Sequence, residues 1–295
     1  MERKTAKDFD PNVLRLFDEY VHGTIDRRGF LEKASKYAVG TMTAAMLLDE
    51  LNPKFAEAQQ VAKDDKRMKA EYVSFPSPKG NDKTKAYLAI PSSAKGKLPG
   101  VLVVHENRGL NPHIEDIARR VALANFVALA PDALAPLGGY PGTEDAAREL
   151  FPKLDQAKTR EDFVAAAEFL KKHPACTGKV GVVGFCWGGG MANALAVRLA
   201  DLGAAVPFYG NQPTAEEAAK IKAPLLIHYA ENDQRINAGW PAYEAALKAA
   251  NVKYTAYTYP GTQHGFNNDT TPRYDEAAAK LAWQRTIDFF NAQLR

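Results

Sequence analysis

Short runs of consecutive apolar residues recur through the later four-fifths of this chain, separated by stretches with a helical period. Val101–His105, Val127–Ala130, Val180–Val183, Ala204–Tyr209 and Leu225–Tyr229 are such runs and read as strands buried on both faces. Between them, the spacing of apolar positions predicts helices near Ile114–Ala124, Arg160–Lys172 and Pro241–Ala250. Tyr254–Tyr259 predicts a last strand, and Tyr274–Leu294 a closing helix. Upstream, Tyr72–Phe75 and Lys85–Ile90 read as an antiparallel hairpin leading into the sheet. Strands alternating with helices imply an α/β class with a mostly parallel sheet covered on both faces. In such a sheet, ligands bind at the carboxyl ends of the strands.

Residues 1–60 differ in character from the α/β part, residues 61–295. Two readings stand side by side. In the first, Asp26-Arg27-Arg28-Gly29-Phe30-Leu31 is similar to a twin-arginine export signal, and Ala56-Glu57-Ala58 supplies small residues spaced for a signal peptidase. That reading sends the protein to the periplasm. In the second, Asp49 and Glu50 cut the apolar stretch short, and the segment stays as a helical arm, with helices over Val13–Tyr20 and Arg28–Leu51. The arm then packs on the body or on a second subunit, as in a homodimer, and the enzyme is cytoplasmic.

The formal charge of +3 in 295 residues gives no reason to expect nucleic acid as a partner. No apolar run approaches the ~18 residues of a membrane span. Two cysteines make no disulfide framework, and the six histidines show no metal-ligand spacing, so the site is expected to need no metal and no cofactor.

The chemistry concentrates at Gly184-Phe185-Cys186-Trp187-Gly188. An apolar strand precedes it and a helical pattern, Met191–Val197, follows. Strand, sharp turn and helix are the setting of a nucleophile elbow, here with cysteine at the centre. The helix N-terminus favours a thiolate over a thiol. Further on, Asp233 ends the strand Leu225–Tyr229 within a turn-forming cluster, and His264 lies on the loop after the last strand. Nucleophile, acid, then histidine is the chain order that this fold requires.

These segments, together with His105-Glu106-Asn107-Arg108-Gly109-Leu110-Asn111, resemble the dienelactone hydrolase family of α/β-hydrolases from about Tyr72 onward. The resemblance implies a small-molecule ester or enol-lactone substrate and a thioester acyl-enzyme. It assigns Cys186 as nucleophile, His264 as the proton carrier and Asp233 as its orienting partner. It sets Glu106 beside the resting thiol, and forms the oxyanion hole from the backbone N–H groups of Asn107 and Trp187. The best-known members carry an arginine four residues after the histidine, where this chain has Asn268. Arg108, Arg273 and Tyr140 are the remaining candidates for substrate contact. A general carboxylesterase, or a non-catalytic relative in which Cys186 senses oxidants, are the alternative readings.

Overall fold

The computed structural model describes residues 4–295. The arm comprises α1 (Pro11–Val21), α2 (Arg27–Ala34), α3 (Ala44–Leu51) and the single turn α4 (Phe55–Ala58). The catalytic part follows as β1 (Met68–Ser77), β2 (Asp82–Pro91), β3 (Leu98–Val104), α5 (Pro112–Leu123), β4 (Val127–Pro131), α6 (Glu144–Leu150) and α7 (Gln156–Lys172). It continues with β5 (Cys176–Phe185), α8 (Trp187–Arg198), β6 (Ala204–Phe208), α9 (Ala215–Ala218) and β7 (Leu225–Asn232). Last come α10 (Gln234–Asn237), α11 (Trp240–Ala249), β8 (Tyr254–Gln263) and α12 (Glu276–Leu294).

The strands form one sheet of eight in the order β1-β2-β4-β3-β5-β6-β7-β8. β2 runs antiparallel to both β1 and β4, and every later pairing is parallel. The side-chain period of two sorts β3 cleanly: Leu102 and Val104 join one core, Val101 and Val103 the other. The first core lies under α7, α8 and α11, and includes Phe163, Leu195 and Leu247. The second lies under α5 and α12, and includes Ile117 and Phe290. The expected α/β-hydrolase architecture is thus present, with helices on both faces.

Strand ends extend beyond the apolar runs. β5 begins at Cys176, four residues ahead of Val180, because Leu98 at the start of β3 pairs with it. Cys176 is buried there, while Cys186 lies just past the strand's other end.

One helix expectation needs correction. Arg28–Leu51 is not continuous: α2 gives way to a short 3-10 turn at Ser35–Tyr37, and α3 starts only at Ala44. Gly40, at φ 67°, takes a left-handed turn between them. Thr43 caps the restart by accepting from Met46 N at 3.1 Å. The break lets α1, α2 and α3 close on a core of their own, around Phe17, Phe30, Leu48 and Leu51. This arm packs on its own chain. Lys54 N donates to Thr270 O at 2.8 Å, and the Tyr20 hydroxyl donates to Asp145.

Candidate active site

Cys186 occupies the turn between β5 and α8, with φ 56° and ψ −114°. A non-glycine residue there is strained, and its surroundings hold it in place. Cys186 N donates to Phe208 O at 3.1 Å, and Cys186 O accepts from Gly189 N at 3.0 Å. The flanking glycines are steric requirements. A Cβ on Gly184 would lie 1.9 Å from Gly188 O, and one on Gly188 would lie 2.4 Å from Val104 O. The close approach of α8 to β3 and β5 therefore fixes where the sulfur points.

A buried aromatic cluster holds the same corner. The Trp187 ring stacks on His105 at 5.2 Å between centroids, with planes 10° apart. Phe151 and Phe163 meet Trp187 edge-on. His105 Nε2 accepts from Ala133 N at 3.0 Å, so its Nδ1 carries the proton and donates to Glu106 O at 2.5 Å. Burial lowers the His105 pKa and keeps the ring neutral. This ring ties the end of β3, and hence Asn107, to the elbow. Trp187 is the first residue of α8, so its N–H has no intrahelical partner. The Asn107 and Trp187 N–H groups thus both belong to segments held at the elbow.

Asp233 is the N-cap of α10, directly after β7, and His264 directly follows β8. Parallel pairing of β7 and β8 brings them together: His264 Nδ1 and Asp233 Oδ2 are 2.5 Å apart. Asp233 uses its other oxygen to accept from Ile236 N at 3.4 Å. His264 Nε2 is buried without a hydrogen-bond partner among the described residues, and a ring nitrogen of His264 lies within 4.8 Å of the Cys186 sulfur.

The sulfur has a second imidazole beside it, one the sequence did not point to. His22, at the C-cap of α1, puts Nε2 3.4 Å from Cys186 Sγ. Its Nδ1 lies 3.2 Å from Asp18 Oδ1, one turn earlier on α1. The His22 and His264 rings meet edge to face at 4.8 Å. Donor atoms of His22, Cys186 and His264 all lie within 4.8 Å of one another, a grouping compact enough to surround a metal ion. The only trace of this in the sequence is Asp18 and His22, four apart on a helix whose other face buries Phe17 and Tyr20.

Charge distribution follows from this packing. Burial opposes ionisation of Cys186, but the two imidazoles outweigh it and bring the thiol down to about 6. Burial likewise opposes charge on His264, yet the thiolate and Asp233 hold its pKa up, at about 10. Burial also works against charge on His22, and Cys186 with Asp18 overcomes it, raising the pKa.

Glu106, which the resemblance sets beside the resting thiol, is held by a residue of the closing loop. Its carboxylate accepts from Asn268 Nδ2 at 2.9 Å, while the thiol's hydrogen-bond partner is His22. Arg108 is 6% exposed, so it is no solvated surface residue; it donates to Val21 O at 3.0 Å. Asn107 Nδ2 donates to the same carbonyl at 2.9 Å. Arg273 is also buried, with Nη1 3.4 Å from Asp18 Oδ1 and its guanidinium over the Phe17 ring. The Tyr140 hydroxyl donates to Glu144 at 3.0 Å. Glu144 in turn lies 3.9 Å from Arg108 Nε. With the arm seated, the cavity bordered by Glu106, Asn107, Arg108 and Arg273 is only about 30 Å³.

Comparison with known proteins bears on this geometry. Residues 84–294 match the model of the dienelactone hydrolase family, and residues 1–39 match a second model, YqhI-like. A Salmonella typhi protein with the provisional name carboxymethylenebutenolidase is 33% identical over 240 residues, 77% of this chain and 88% of its own length. An Escherichia coli hydrolase fragment with the provisional name YghX is 54% identical over 114 residues, 39% of this chain and 97% of the fragment. Among solved structures, a provisionally named dienelactone hydrolase from Klebsiella pneumoniae superposes with a TM-score of 0.66 at 30% identity, covering 76% of this chain and 99% of that one. The dienelactone hydrolase-like promiscuous phosphotriesterase P91, from metagenomic libraries, gives 0.67 at 25% identity, covering 78% of this chain and 100% of that one.

Proposed function

Because this chain belongs to the dienelactone hydrolase family and is a hydrolase of ester or lactone bonds, we propose that it works through Cys186 and a thioester acyl-enzyme on a small ester or enol-lactone. The Cys186 thiolate attacks the carbonyl carbon, and the carbonyl oxygen becomes an oxyanion held by the N–H groups of Asn107 and Trp187. As the C–O bond breaks, the leaving oxygen takes a proton from His264 Nε2. In a lactone, that oxygen stays attached to the acyl chain. His264, now neutral, takes a proton from water, and the resulting hydroxide cleaves the thioester and returns the thiolate. Asp233 keeps the imidazole in the tautomer with Nδ1–H and stabilises its charged form.

The observation that carries this reading is His264. Its Nδ1 is bound to Asp233 at 2.5 Å, its Nε2 is buried without a partner among the described residues, and the ring lies beside the sulfur, with a nitrogen within 4.8 Å. A proton carrier needs this arrangement, with one nitrogen fixed and the other free. The lowered thiol supports the same reading, since the thiolate is the nucleophile.

The test is Cys186→Ala. Turnover of an activated ester should fall roughly a thousandfold or more while the fold survives. Cys176→Ala should keep close to the full rate. Denaturing mass spectrometry of wild type caught with a slow ester should find the acyl mass on the peptide containing Cys186. An active Cys186→Ala enzyme, or thiol reactivity in wild type without ester turnover, would reject the mechanism.

A further inference from the structure

The Cys186 sulfur faces two Asp–His pairs, and they come from opposite ends of the chain. Asp233–His264 is built by the strands of the sheet. Asp18–His22 is built by the last turn of α1, with His22 Nδ1 also 2.8 Å from Asp18 O. We infer that His22 is a catalytic residue: the arm supplies a second imidazole, which takes the proton of the Cys186 thiol and completes the active site. This inference rests on Cys186 being the nucleophile.

The geometry divides the proton work between the two rings. His22 Nδ1 is committed to Asp18, so Nε2 is the basic nitrogen; it faces the sulfur at 3.4 Å and accepts from Arg235 Nη2 at 3.0 Å, a contact that has to open before Nε2 takes the thiol's proton. In the step, the S–H bond breaks and an Nε2–H bond forms, leaving thiolate and imidazolium. Asp18 stabilises that imidazolium as Asp233 stabilises His264. His264, charged on its own aspartate, is then free to give its proton to the leaving oxygen. His22 keeps this proton through the cycle, because cleavage of the thioester returns Cys186 as the thiolate. Glu106 accepts from Asn268, and the hydrogen-bond partner of the thiol is His22.

The charged groups facing His22 divide: Asp18 and the thiolate favour its charge, while Arg235 and the His264 imidazolium, 4.8 Å away between ring centroids, oppose it. Asp18 accepts from it on the same helix. Arg235 from α10 donates from Nη2 to its Nε2 at 3.0 Å, holding the ring neutral until the thiol's proton displaces that contact. Arg273 anchors Asp18 from the body at 3.4 Å. Asn107 and Arg108 hold the arm's Val21 carbonyl. His22 and Cys186 raise and lower one another's pKa as an acid–base pair does. One consequence concerns the arm itself: residues ahead of Ala56-Glu57-Ala58 belong to the working enzyme and are not a leader lost before catalysis.

The experiment follows iodoacetamide alkylation of Cys186 against pH in the full-length protein, with ester turnover measured in parallel. His22→Gln should move the alkylation midpoint up by about one pH unit and lower kcat by about a hundredfold. Asp18→Asn, which spares the ring but removes its charge partner, should move the midpoint the same way by less. Both variants should melt close to wild type, and Cys186 stays alkylatable in each, so a failed nucleophile assignment is told apart from a failed His22 assignment. An unchanged midpoint in His22→Gln would overturn the inference. So would a rise in kcat/KM in that variant, which would make the arm an inhibitory plug. One equivalent of zinc in purified wild type, lost in His22→Gln, would overturn it as well, because the three donors would then be ligands.

Discussion

Glu106 and Asn268 form one hydrogen-bonded unit, with the amide donating to the carboxylate at 2.9 Å. Thr270 fixes the direction of that amide. Its N–H and hydroxyl both donate to Asn268 Oδ1, at 3.0 and 2.5 Å, so the NH2 end has to face Glu106. The residue found where the family's best-known members have arginine therefore anchors a carboxylate of the protein itself.

Glu106→Gln tests what that carboxylate does. Glu106 and the Cys186 thiolate both bear on Tyr209, so they share a neighbourhood without a hydrogen bond between them. A nearby negative charge disfavours a thiolate. Removing it should lower the alkylation midpoint of Cys186 by a few tenths of a unit, read from the pH profile. A rise would mean that Glu106, not His22, takes the thiol's proton.

The pH dependence of the wild-type enzyme follows from two opposed shifts. The thiol is depressed to about 6, so thiolate is present above that pH and lost as the pH falls through it. The His264 imidazolium is raised to about 10, so it is present below that pH and lost as the pH rises through it. Acylation needs both forms. kcat/KM for a neutral ester should therefore trace a bell with limbs near these two values. A single rise near pH 8.5, the range of an unperturbed thiol, would contradict the ion pair.

Arg108 and Arg273 both bond the arm, through the Val21 carbonyl and Asp18, although Arg273 Nε is buried without a partner among the described residues. A carboxylated substrate has to displace one of these contacts to gain a charge-assisted bond, worth about 1.5–3 kcal/mol before that loss. Preference for a carboxylated lactone over its neutral analogue should accordingly be modest, about tenfold in kcat/KM. Arg108→Ala should erase it. A strong preference that survives Arg108→Ala would identify Arg273 as the anchor.

Cys186, Asp233 and His264 could be read from the sequence because each stands just past a strand, where period and turn residues mark the place. Their meeting follows from parallel pairing of β7 and β8, which the alternation of elements implied. His22 was hidden because it lies 164 residues from Cys186, in a segment whose one recognisable pattern, around Arg27-Arg28, says nothing of a catalytic histidine. Only the docking of α1 onto the body brings the two together, and docking leaves no local pattern. The break after α2 was missed for the opposite reason. The apolar spacing continues through residues 28–51, and the single left-handed Gly40 is what ends it. Arg108 and Arg273 looked like solvated charges because long cations usually are. Their burial depends on the arm above them.

β5 has a consequence for how this enzyme withstands oxidants. Cys176 opens the strand and Cys186 lies just past its far end, so at the rise of an extended chain they stand about 30 Å apart. That is far beyond the reach of a disulfide. A sulfenic acid formed on Cys186 by peroxide has no thiol in the same chain to resolve it, and recovery depends on a small thiol from solution. The sheet that aims the sulfur at its substrate also leaves it without an internal rescue from oxidation.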